Sequence, residues 1–501
     1  MYFFINQNII LIRYLSVSFA GILYPYAFAP YDFKFLAYLS LLIFFYILFK
    51  SSRRQSMKLS FVYGFFLFLF GVNWVFNSIY DYGGQHLYIS FLLTLLFIFL
   101  LALIFIPFGF FVNKLNFSST IHQRVIIGAS VWVFLEWIRS NLFGGFPWLL
   151  LGYSQTNTYL EALFPLLGNY FIGFIVVSFI LYTLLIFIKP TEIKKSLSGI
   201  LILIISVTTF NIFKYEWTTH ALKPINFSII QANIKQEIKF GESDITMIKK
   251  KFLSLSLNKK NKDLIIWPET AIPTLYHSDK LFFSGVVKEL NTETSLLSGV
   301  FRFDQDSAKF FNSLVLLNKD EQFYDKRHLV PFGEYVPFPS VFGLLAKTLN
   351  IPMSNLSKGS GNITSLKLGR EYIYPLICYE IAYPNLININ HKEFALILNI
   401  SNDAWFGDSL APYQHLQIAK VRALETQRYI LRSANTGVSA LIGPNGQILD
   451  KINFGVEGIL DGEVYSSKGR TPYMDFGDYP ILMLIFIFMF FILSNKPKEN
   501  G

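Results

Sequence analysis

Long apolar runs fill the first 213 residues of the chain and return once near its end. A helix that crosses a bilayer needs about 20 apolar residues, and runs of this kind predict eight transmembrane helices. They cover residues 9–28, 33–49, 59–78, 88–112, 125–138, 170–188, 197–213 and 479–493. The pattern predicts a membrane domain of seven helices at 1–213, an intervening domain at 214–478, and a last helix with its tail at 479–501.

The charged residues between these runs orient the predicted helices. Lys and Arg cluster after the second, fourth and sixth runs, and Lys496 and Lys498 lie in the tail. Cytoplasmic loops of membrane proteins carry an excess of Lys and Arg, so both termini are predicted to be cytoplasmic and residues 214–478 to face outward. In a bacterial inner (plasma) membrane this outward side is the periplasm. The net charge of +10 lies partly in such loops, so nucleic acid is not a predicted partner.

The composition excludes several classes of protein. Of all residues, 53% are hydrophobic and 15% charged, whereas about 25% are charged in a typical soluble domain. The single cysteine, Cys378, excludes an intramolecular disulfide, a Cys-based zinc site and an iron–sulfur cluster held by this chain. The seven His show no paired metal-ligand spacing, so neither a metal nor another cofactor is predicted.

Two features of the membrane part are not explained by hydrophobicity alone. Glu136 lies inside the fifth run and Arg139 follows one turn later, which predicts either an ion pair between helices or a functional carboxylate. The aromatic residues of the loop that contains Trp148 are interpreted as anchors at the membrane interface.

From residue 225 the pattern changes to short β-branched runs separated by helices and turns. Strands are predicted at 227–233, 264–267, 296–302, 313–317, 372–378, 394–401, 438–442 and 458–465. A helix is predicted at 411–432. Strands interleaved with helices indicate a layered α/β domain.

Candidate chemistry lies at the ends of these strands. Glu269 follows the strand at 264–267, Cys378 closes the strand at 372–378, and Lys326 lies in a long loop. A thiol becomes a strong nucleophile when an adjacent base removes its proton. A cation and the backbone N–H after Cys378 can then stabilise a tetrahedral oxyanion, so acyl transfer is the predicted reaction class.

Each of these residues also has a purely structural interpretation. Cys378 can be a small core residue, Glu269 can cap a helix, and Lys326 can be a solvated loop charge. Glu334 and Glu380 can be salt-bridge partners, and His328 is an alternative base.

The sequences around these residues resemble the apolipoprotein N-acyltransferase family of the nitrilase (carbon-nitrogen hydrolase) superfamily. The similar segments are Trp-Pro-Glu-Thr-Ala at 267–271, the run 326–334, Cys-Tyr-Glu at 378–380 and Asn-Asp-Ala-Trp-Phe-Gly at 402–407. Membrane segments at 28–30, 71–75 and 145–148 resemble the same family. The resemblance implies an α-β-β-α sandwich beside the eight-helix membrane part.

The resemblance also implies roles and substrates. Cys378 would be the nucleophile, Glu269 the general base and Lys326 the oxyanion stabiliser. Supporting or substrate-binding positions would be Glu334, Tyr379, Glu380, Trp405 and Phe240. The acyl donor would be a bilayer phospholipid, phosphatidylethanolamine in particular, and the acceptor the α-amine of the diacylglyceryl-cysteine of an apolipoprotein. The chain departs from the family at Ala232, where Gly is common, and at Phe240, where Trp is frequent.

Two apolar stretches, 281–283 and 342–353, are interpreted as arms that dip into the membrane interface, with core packing as the alternative. Two other functions stay open from the residues alone. One is a membrane-tethered amidase or nitrilase that hydrolyses a small substrate with the same triad. The other is a transporter or channel with an outward accessory domain.

Overall fold

The structure is a computed structural model that describes residues 2–112, 120–213, 215–239, 245–257, 262–290, 293–340, 343, 355–361, 365–387 and 393–494. The side chains of residues 2–7 and 491–494 are outside this description. The chain forms two compact units. The first contains Met1–Phe76, Tyr88–Tyr215 and Phe476–Gly501, and the second contains Asn77–Leu87 and Glu216–Asp475.

The first unit is helical. Its α-helices are Tyr2–Leu23, Phe35–Phe49, Arg53–Gly71, Leu87–Leu103, Ile106–Val112, Ile121–Asn141, Phe164–Ile188, Ile193–Phe213 and Tyr479–Ser494. Each predicted apolar run falls on one or two of these helices. Within the described ranges, five segments are long and apolar enough to cross a bilayer, or six if one bent pair is a single span. Phe35–Phe49 and Tyr479–Phe490 are apolar but shorter, so the structure supports a multi-helix membrane part without fixing the number at eight.

The predicted span at 59–78 ends in the wrong place. Its helix, Arg53–Gly71, stops at Gly71, and the helical segment Val75–Tyr82 is bent away from it by 63°. Val72 leaves the helical region, with φ −135° and ψ 19°. The hydrophobic pattern gives no sign of this bend, because Val72 and Val75 are hydrophobic like the residues of the helix before them.

Glu136 and Arg139 hold the backbone of one loop. Glu136 Oε1 accepts a hydrogen bond of 2.9 Å from the backbone N–H of Leu151. Arg139 donates to the carbonyl oxygens of Phe146 and Trp148, at 3.0 and 2.5 Å. These contacts favour a structural role for both charges.

The interpretation of Trp148 as an interfacial anchor is wrong. Its side chain is fully buried, and its ring lies 5.3 Å from the ring of Trp74. Arg139 donates a hydrogen bond to the carbonyl oxygen of Trp148, and the Trp148 side chain lies in the interior of the helical unit.

The second unit contains two six-stranded sheets. Its strands are β1 (Thr219–Gln231), β2 (Leu264–Ile266), β3 (Ser295–Asp304), β4 (Lys309–Leu317), β5 (Glu321–Asp325), β6 (Leu366–Leu368), β7 (Glu371–Ile377), β8 (Leu396–Ser401), β9 (Ile430–Ala434), β10 (Ser439–Ile442), β11 (Ile448–Ile452) and β12 (Gly458–Lys468). The strand orders are β12-β1-β2-β3-β4-β5 and β11-β10-β9-β8-β7-β6. The central strands β1–β2–β3 and β7–β8–β9 run parallel.

The two sheets pack face to face over a shared core. Ile266 and Leu297 of the first sheet belong to the same buried cluster as Leu398 and Leu441 of the second. Ile265 points to the opposite face and joins a second buried cluster, as the two-residue period of a strand requires. That second cluster includes side chains of the helices Ile245–Leu257 and Lys280–Leu290. The predicted layered α/β architecture is therefore present.

The predicted helix at 411–432 is too long. The helix ends at Thr426, Gln427 takes a left-handed conformation with φ 47° and ψ 48°, and β9 begins at Ile430. The sequence at this point contains neither Gly nor Pro, so the break has no local signal.

The predicted apolar arm at 281–283 lies within the helix Lys280–Leu290, and Phe283 is buried with its ring against Trp267. The arm interpretation is therefore wrong for Phe283, whereas Leu281 is 90% exposed. The second predicted arm, at 342–353, lies outside the described residues apart from Gly343.

We predict opposite effects for two Gly→Ala substitutions in the second unit. A Cβ at Gly299 would lie 2.6 Å from the Cα of Glu269 and from the backbone nitrogen of Thr270. Gly299→Ala should therefore lower the free energy of unfolding by about 1–3 kcal/mol, as overpacking does. Gly285 has open space around it within a helix, so Gly285→Ala should add about 0.5–1 kcal/mol. Thermal unfolding of the full chain in detergent checks both, and equal stability of the two variants would contradict the packing around Glu269.

Candidate active site

The sandwich brings together three residues that are far apart in the chain. Glu269 follows β2, Lys326 follows β5 and Cys378 follows β7. All three are buried. Lys326 Nζ lies 3.5 Å from Glu269 Oε1, and the charges of both residues act on the pKa of the Cys378 thiol.

Lys326 lies between two carboxylates. Its Nζ is 2.9 Å from Glu334 Oε1 and 3.5 Å from Glu269 Oε1. Burial alone would lower the pKa of the Lys326 ammonium, but Glu334 and then Glu269 outweigh burial and raise that pKa. Lys326 therefore remains a cation inside the unit.

One amide holds both carboxylates in place. Asn312 Nδ2 donates hydrogen bonds of 2.8 Å to Oε1 of Glu269 and to Oε1 of Glu334. The other oxygen of Glu269 accepts a 2.8 Å hydrogen bond from the backbone N–H of Asn402. The carboxylate of Glu269 is thus held by two neutral donors, one within β4 and one directly after β8, and by the Lys326 cation.

Lys239 is a second buried amine near the candidate base. Its Nζ donates a 3.1 Å hydrogen bond to the backbone carbonyl oxygen of Glu269. Burial lowers the pKa of Lys239 to about 7, although the charge of Glu269 opposes this shift.

Cys378 forms a sharp turn between β7 and the following 3₁₀ segment Cys378–Ala382. Its φ of 52° lies in the left-handed region, which a non-glycine residue rarely adopts and which often marks a functional site. Burial raises the pKa of the thiol, the charge of Glu269 raises it further, and Lys326 partly opposes both. Burial and the charge of Glu269 therefore favour the neutral thiol over the thiolate.

Glu380 joins the turn at Cys378 to the segment that carries Lys326. The carboxylate of Glu380 is fully buried. It accepts hydrogen bonds from the backbone N–H groups of Ile377 (2.8 Å), Arg327 (2.6 Å) and His328 (3.0 Å), and from the Tyr324 hydroxyl (2.9 Å). Glu380 thus positions two catalytic candidates relative to each other.

The remaining predicted site residues have different surroundings. The ring of Tyr379 packs edge-on against Tyr383 at 5.1 Å, and the ring of His328 lies 3.6 Å from the same tyrosine. The carbonyl oxygen of Trp405 accepts a 2.7 Å hydrogen bond from Ser78 Oγ. Phe240 lies outside the described residues.

Sequence analysis missed several polar residues that support the site. Asn312 interrupts the buried strand β4 with an amide, and such a polar side chain within an apolar strand is a usable signal. A second buried polar cluster lies near the carbonyl oxygen of Cys378 and contains Asn399, Ser401, Asp403, His415 and Arg432. Asn399 interrupts β8 as Asn312 interrupts β4, and Asp403 lies in the segment 402–407 that resembles the family. His415 and Arg432 have no such signal, because a helix and β9 bring them to the cluster.

Two family models match the chain. Residues 20–181 match the apolipoprotein N-acyltransferase N-terminal domain, and residues 228–471 match carbon-nitrogen hydrolase. Among solved structures, a CN-hydrolase superfamily protein of Xanthomonas campestris covers 56% of this chain and 100% of its own length, at 17% identity and a TM-score of 0.37. The family assignment therefore rests on the sequence matches.

Relatives match along almost the whole chain. The apolipoprotein N-acyltransferase of Coxiella burnetii is 34% identical over 480 residues, which is 94% of this chain and 97% of that protein. The enzyme of the same name from Methylococcus capsulatus is 34% identical over 93% of this chain and 92% of its own length. That of Haemophilus influenzae is 33% identical over 95% and 93%. These matches confirm the resemblance seen in the motifs, and the chain belongs to the apolipoprotein N-acyltransferase family.

Proposed function

We propose that this acyltransferase works in two half-reactions through a thioester on Cys378. In the first, a phospholipid, with phosphatidylethanolamine as the proposed donor, transfers an acyl chain to the cysteine and leaves as a lysophospholipid. In the second, the chain passes to the α-amine of the diacylglyceryl-cysteine of an apolipoprotein. The observation that carries this proposal is the burial of Cys378, Glu269 and Lys326, with Lys326 Nζ 3.5 Å from Glu269 Oε1 and both charges acting on the thiol.

In the first half-reaction, Glu269 takes the thiol proton as Cys378 Sγ attacks the ester carbonyl carbon. The tetrahedral oxyanion is stabilised by the Lys326 ammonium and the backbone N–H of Tyr379. When this intermediate collapses, the carbon–oxygen bond of the ester breaks. The proton held by Glu269 passes to the departing glycerol oxygen, which gives the lysophospholipid.

In the second half-reaction, the acceptor amine attacks the thioester carbonyl and forms a second oxyanion at the same position. Glu269 takes a proton from the attacking nitrogen, and the carbon–sulfur bond breaks. The proton then returns to Cys378 Sγ, so the enzyme ends as it began. Glu334 keeps Lys326 in position throughout, since it is the nearer of the two carboxylates.

Both substrates are anchored in a bilayer, and this sets the proposed topology. We propose eight membrane-spanning helices, seven within 1–213 and one within 479–501, with both termini in the cytoplasm. The catalytic domain at 214–478 is then periplasmic on a bacterial inner membrane. The Lys- and Arg-rich loops after the second, fourth and sixth runs support this orientation.

The proposal is tested by intact mass spectrometry of the full chain with phosphatidylethanolamine and without acceptor. The expected result is one added acyl chain on the wild type, absent from Cys378→Ala and removed by a diacylated lipopeptide. An adduct that water removes as fast as the lipopeptide would instead indicate a hydrolase. No adduct on a folded protein with an alkylatable thiol would reject the thioester.

Glu269→Gln separates the two effects of the carboxylate on Cys378. Loss of the general base should slow acyl loading by roughly 10²–10⁴-fold. Because the charge of Glu269 raises the pKa of the thiol, its removal should lower that pKa. The pH profile of Cys378 alkylation by iodoacetamide should therefore move to lower pH. A profile that moves to higher pH would contradict the arrangement.

Glu334→Gln should reduce both stability and acyl loading. It removes the nearer carboxylate from the Lys326 ammonium, at an expected cost of about 1.5–3 kcal/mol for a hydrogen bond to a charged group. Lys326 should then move towards Glu269 and hinder its action as a base. The matched control is Glu321→Gln, which breaks the solvent-exposed pair with Lys280 and should cost about 0–1 kcal/mol. Thermal unfolding and loading rates that are equal in the two variants would refute this role.

A further inference from the structure

Two buried side chains lie within hydrogen-bond distance of the backbone carbonyl oxygen of Cys378, the proposed nucleophile. His415 Nε2 lies 3.2 Å from the carbonyl oxygen of Cys378, and Asn399 Nδ2 lies 3.4 Å from the same oxygen. His415 comes from the helix Ala411–Thr426 and Asn399 from β8. Both side chains are fully buried, so their positions are set by protein contacts and not by solvent.

The contacts of His415 fix which ring nitrogen carries the proton. A carbonyl oxygen can only accept, so Nε2 must carry a hydrogen. Nδ1 lies 3.0 Å from an Arg432 guanidinium nitrogen and 3.1 Å from Asp403 Oδ1. Burial and the charge of Arg432 lower the pKa of His415, although Asp403 opposes them. Nε2–H therefore donates to the Cys378 carbonyl oxygen. Burial and the charge of Arg432 favour the neutral ring, in which Nδ1 accepts from Arg432.

The other contacts of the cluster make this orientation rigid. Arg432 donates to Asp403 Oδ2 at 2.7 Å, and the Ser401 hydroxyl lies 2.5 Å from Asp403 Oδ1. Asp403 and Arg432 thus compensate each other's buried charge. The Arg432 guanidinium also prevents the His415 ring from flipping. The cluster thus presents two N–H donors, from His415 and Asn399, to the carbonyl oxygen of Cys378, while Ser401 Oγ lies 3.4 Å from Cys378 Sγ.

The peptide bond after Cys378 transmits this contact to the reaction centre. A peptide unit is planar and trans, so its C=O and its N–H point in opposite directions. A donor that holds the Cys378 carbonyl oxygen on the His415 side therefore turns the Tyr379 N–H to the other side. If the peptide rotated, its carbonyl oxygen would face the developing oxyanion and repel it.

We propose that His415 is a positioning residue of the oxyanion site, which sets the direction of the Tyr379 N–H by hydrogen bonding to the Cys378 carbonyl oxygen. This inference rests on the proposed function, in which Cys378 forms a thioester through a tetrahedral oxyanion. His415 touches neither substrate nor the sulfur in this account. It acts through the backbone alone.

The test compares two reactions of the same thiol in the full-length protein. Acylation by phosphatidylethanolamine passes through an oxyanion, whereas alkylation by iodoacetamide is a direct displacement at carbon without one. His415→Phe and His415→Ala should slow acylation roughly 10²-fold, as removal of one oxyanion donor does, and leave alkylation at the wild-type rate. His415→Gln, whose amide can donate in place of the imidazole, should recover much of the acylation rate. His277→Phe, a substitution at an exposed histidine, is the matched control and should change neither rate.

Acylation at the wild-type rate in a folded His415→Phe or His415→Ala variant would overturn the inference. So would a parallel loss of acylation and alkylation, which would mean that His415 merely supports the thiol. If the His415 variants do not fold, Asn399→Ala provides the test, because it removes the second donor to the same oxygen. This variant should slow acylation and leave alkylation unchanged. A wild-type protein that forms no thioester with phosphatidylethanolamine would instead reject the proposed function itself.

Discussion

The buried ammonium of Lys326 between the carboxylates of Glu269 and Glu334 is the interaction on which the rest of the site depends. A buried charge is costly unless it is paired, and Lys326 is paired with two carboxylates. The three residues come from different turns, and the amide of Asn312 joins the two carboxylates. Because Asn312 lies within β4, the strands β2, β4 and β5 must stay in register. All three belong to one sheet, in which β3 joins β2 to β4, and the backbone pairing within that sheet supplies the register.

This charge arrangement decides how the nucleophile is activated. An extra negative charge near the thiol favours its neutral form, and burial acts in the same direction. The thiol form of Cys378 is therefore favoured over the thiolate. In the proposed mechanism, Glu269 accepts the thiol proton when an acyl group arrives. Because the base is anchored by Asn312 and Asn402, little reorganisation is needed at that moment, which is the condition for effective electrostatic stabilisation.

The sequence predicts the parts of the fold that depend on local patterns. The apolar strands before Glu269 and Cys378 are found where short apolar, β-branched runs place them, and each apolar run of the first 213 residues lies mainly on helix. The turn at Gln427 was missed because a left-handed Gln has no local signal. The proximity of His415 to Cys378 depends on packing between a helix and a strand end, which no spacing in the chain reveals. The burial of Trp148 has no local signal, because its ring packs against Trp74, which is distant in the chain.

In the proposed mechanism, Cys378 rests as a neutral thiol whose proton Glu269 accepts. Since the chain has one cysteine, the ultraviolet absorbance of a thiolate reports on this residue alone. The decisive measurement is a pH titration of that absorbance in the ligand-free protein, taken as the difference between wild type and Cys378→Ser. We expect no thiolate signal at neutral pH and its appearance above the range of a free cysteine. A full thiolate signal at neutral pH would refute this mechanism and would indicate a preformed ion pair with Lys326.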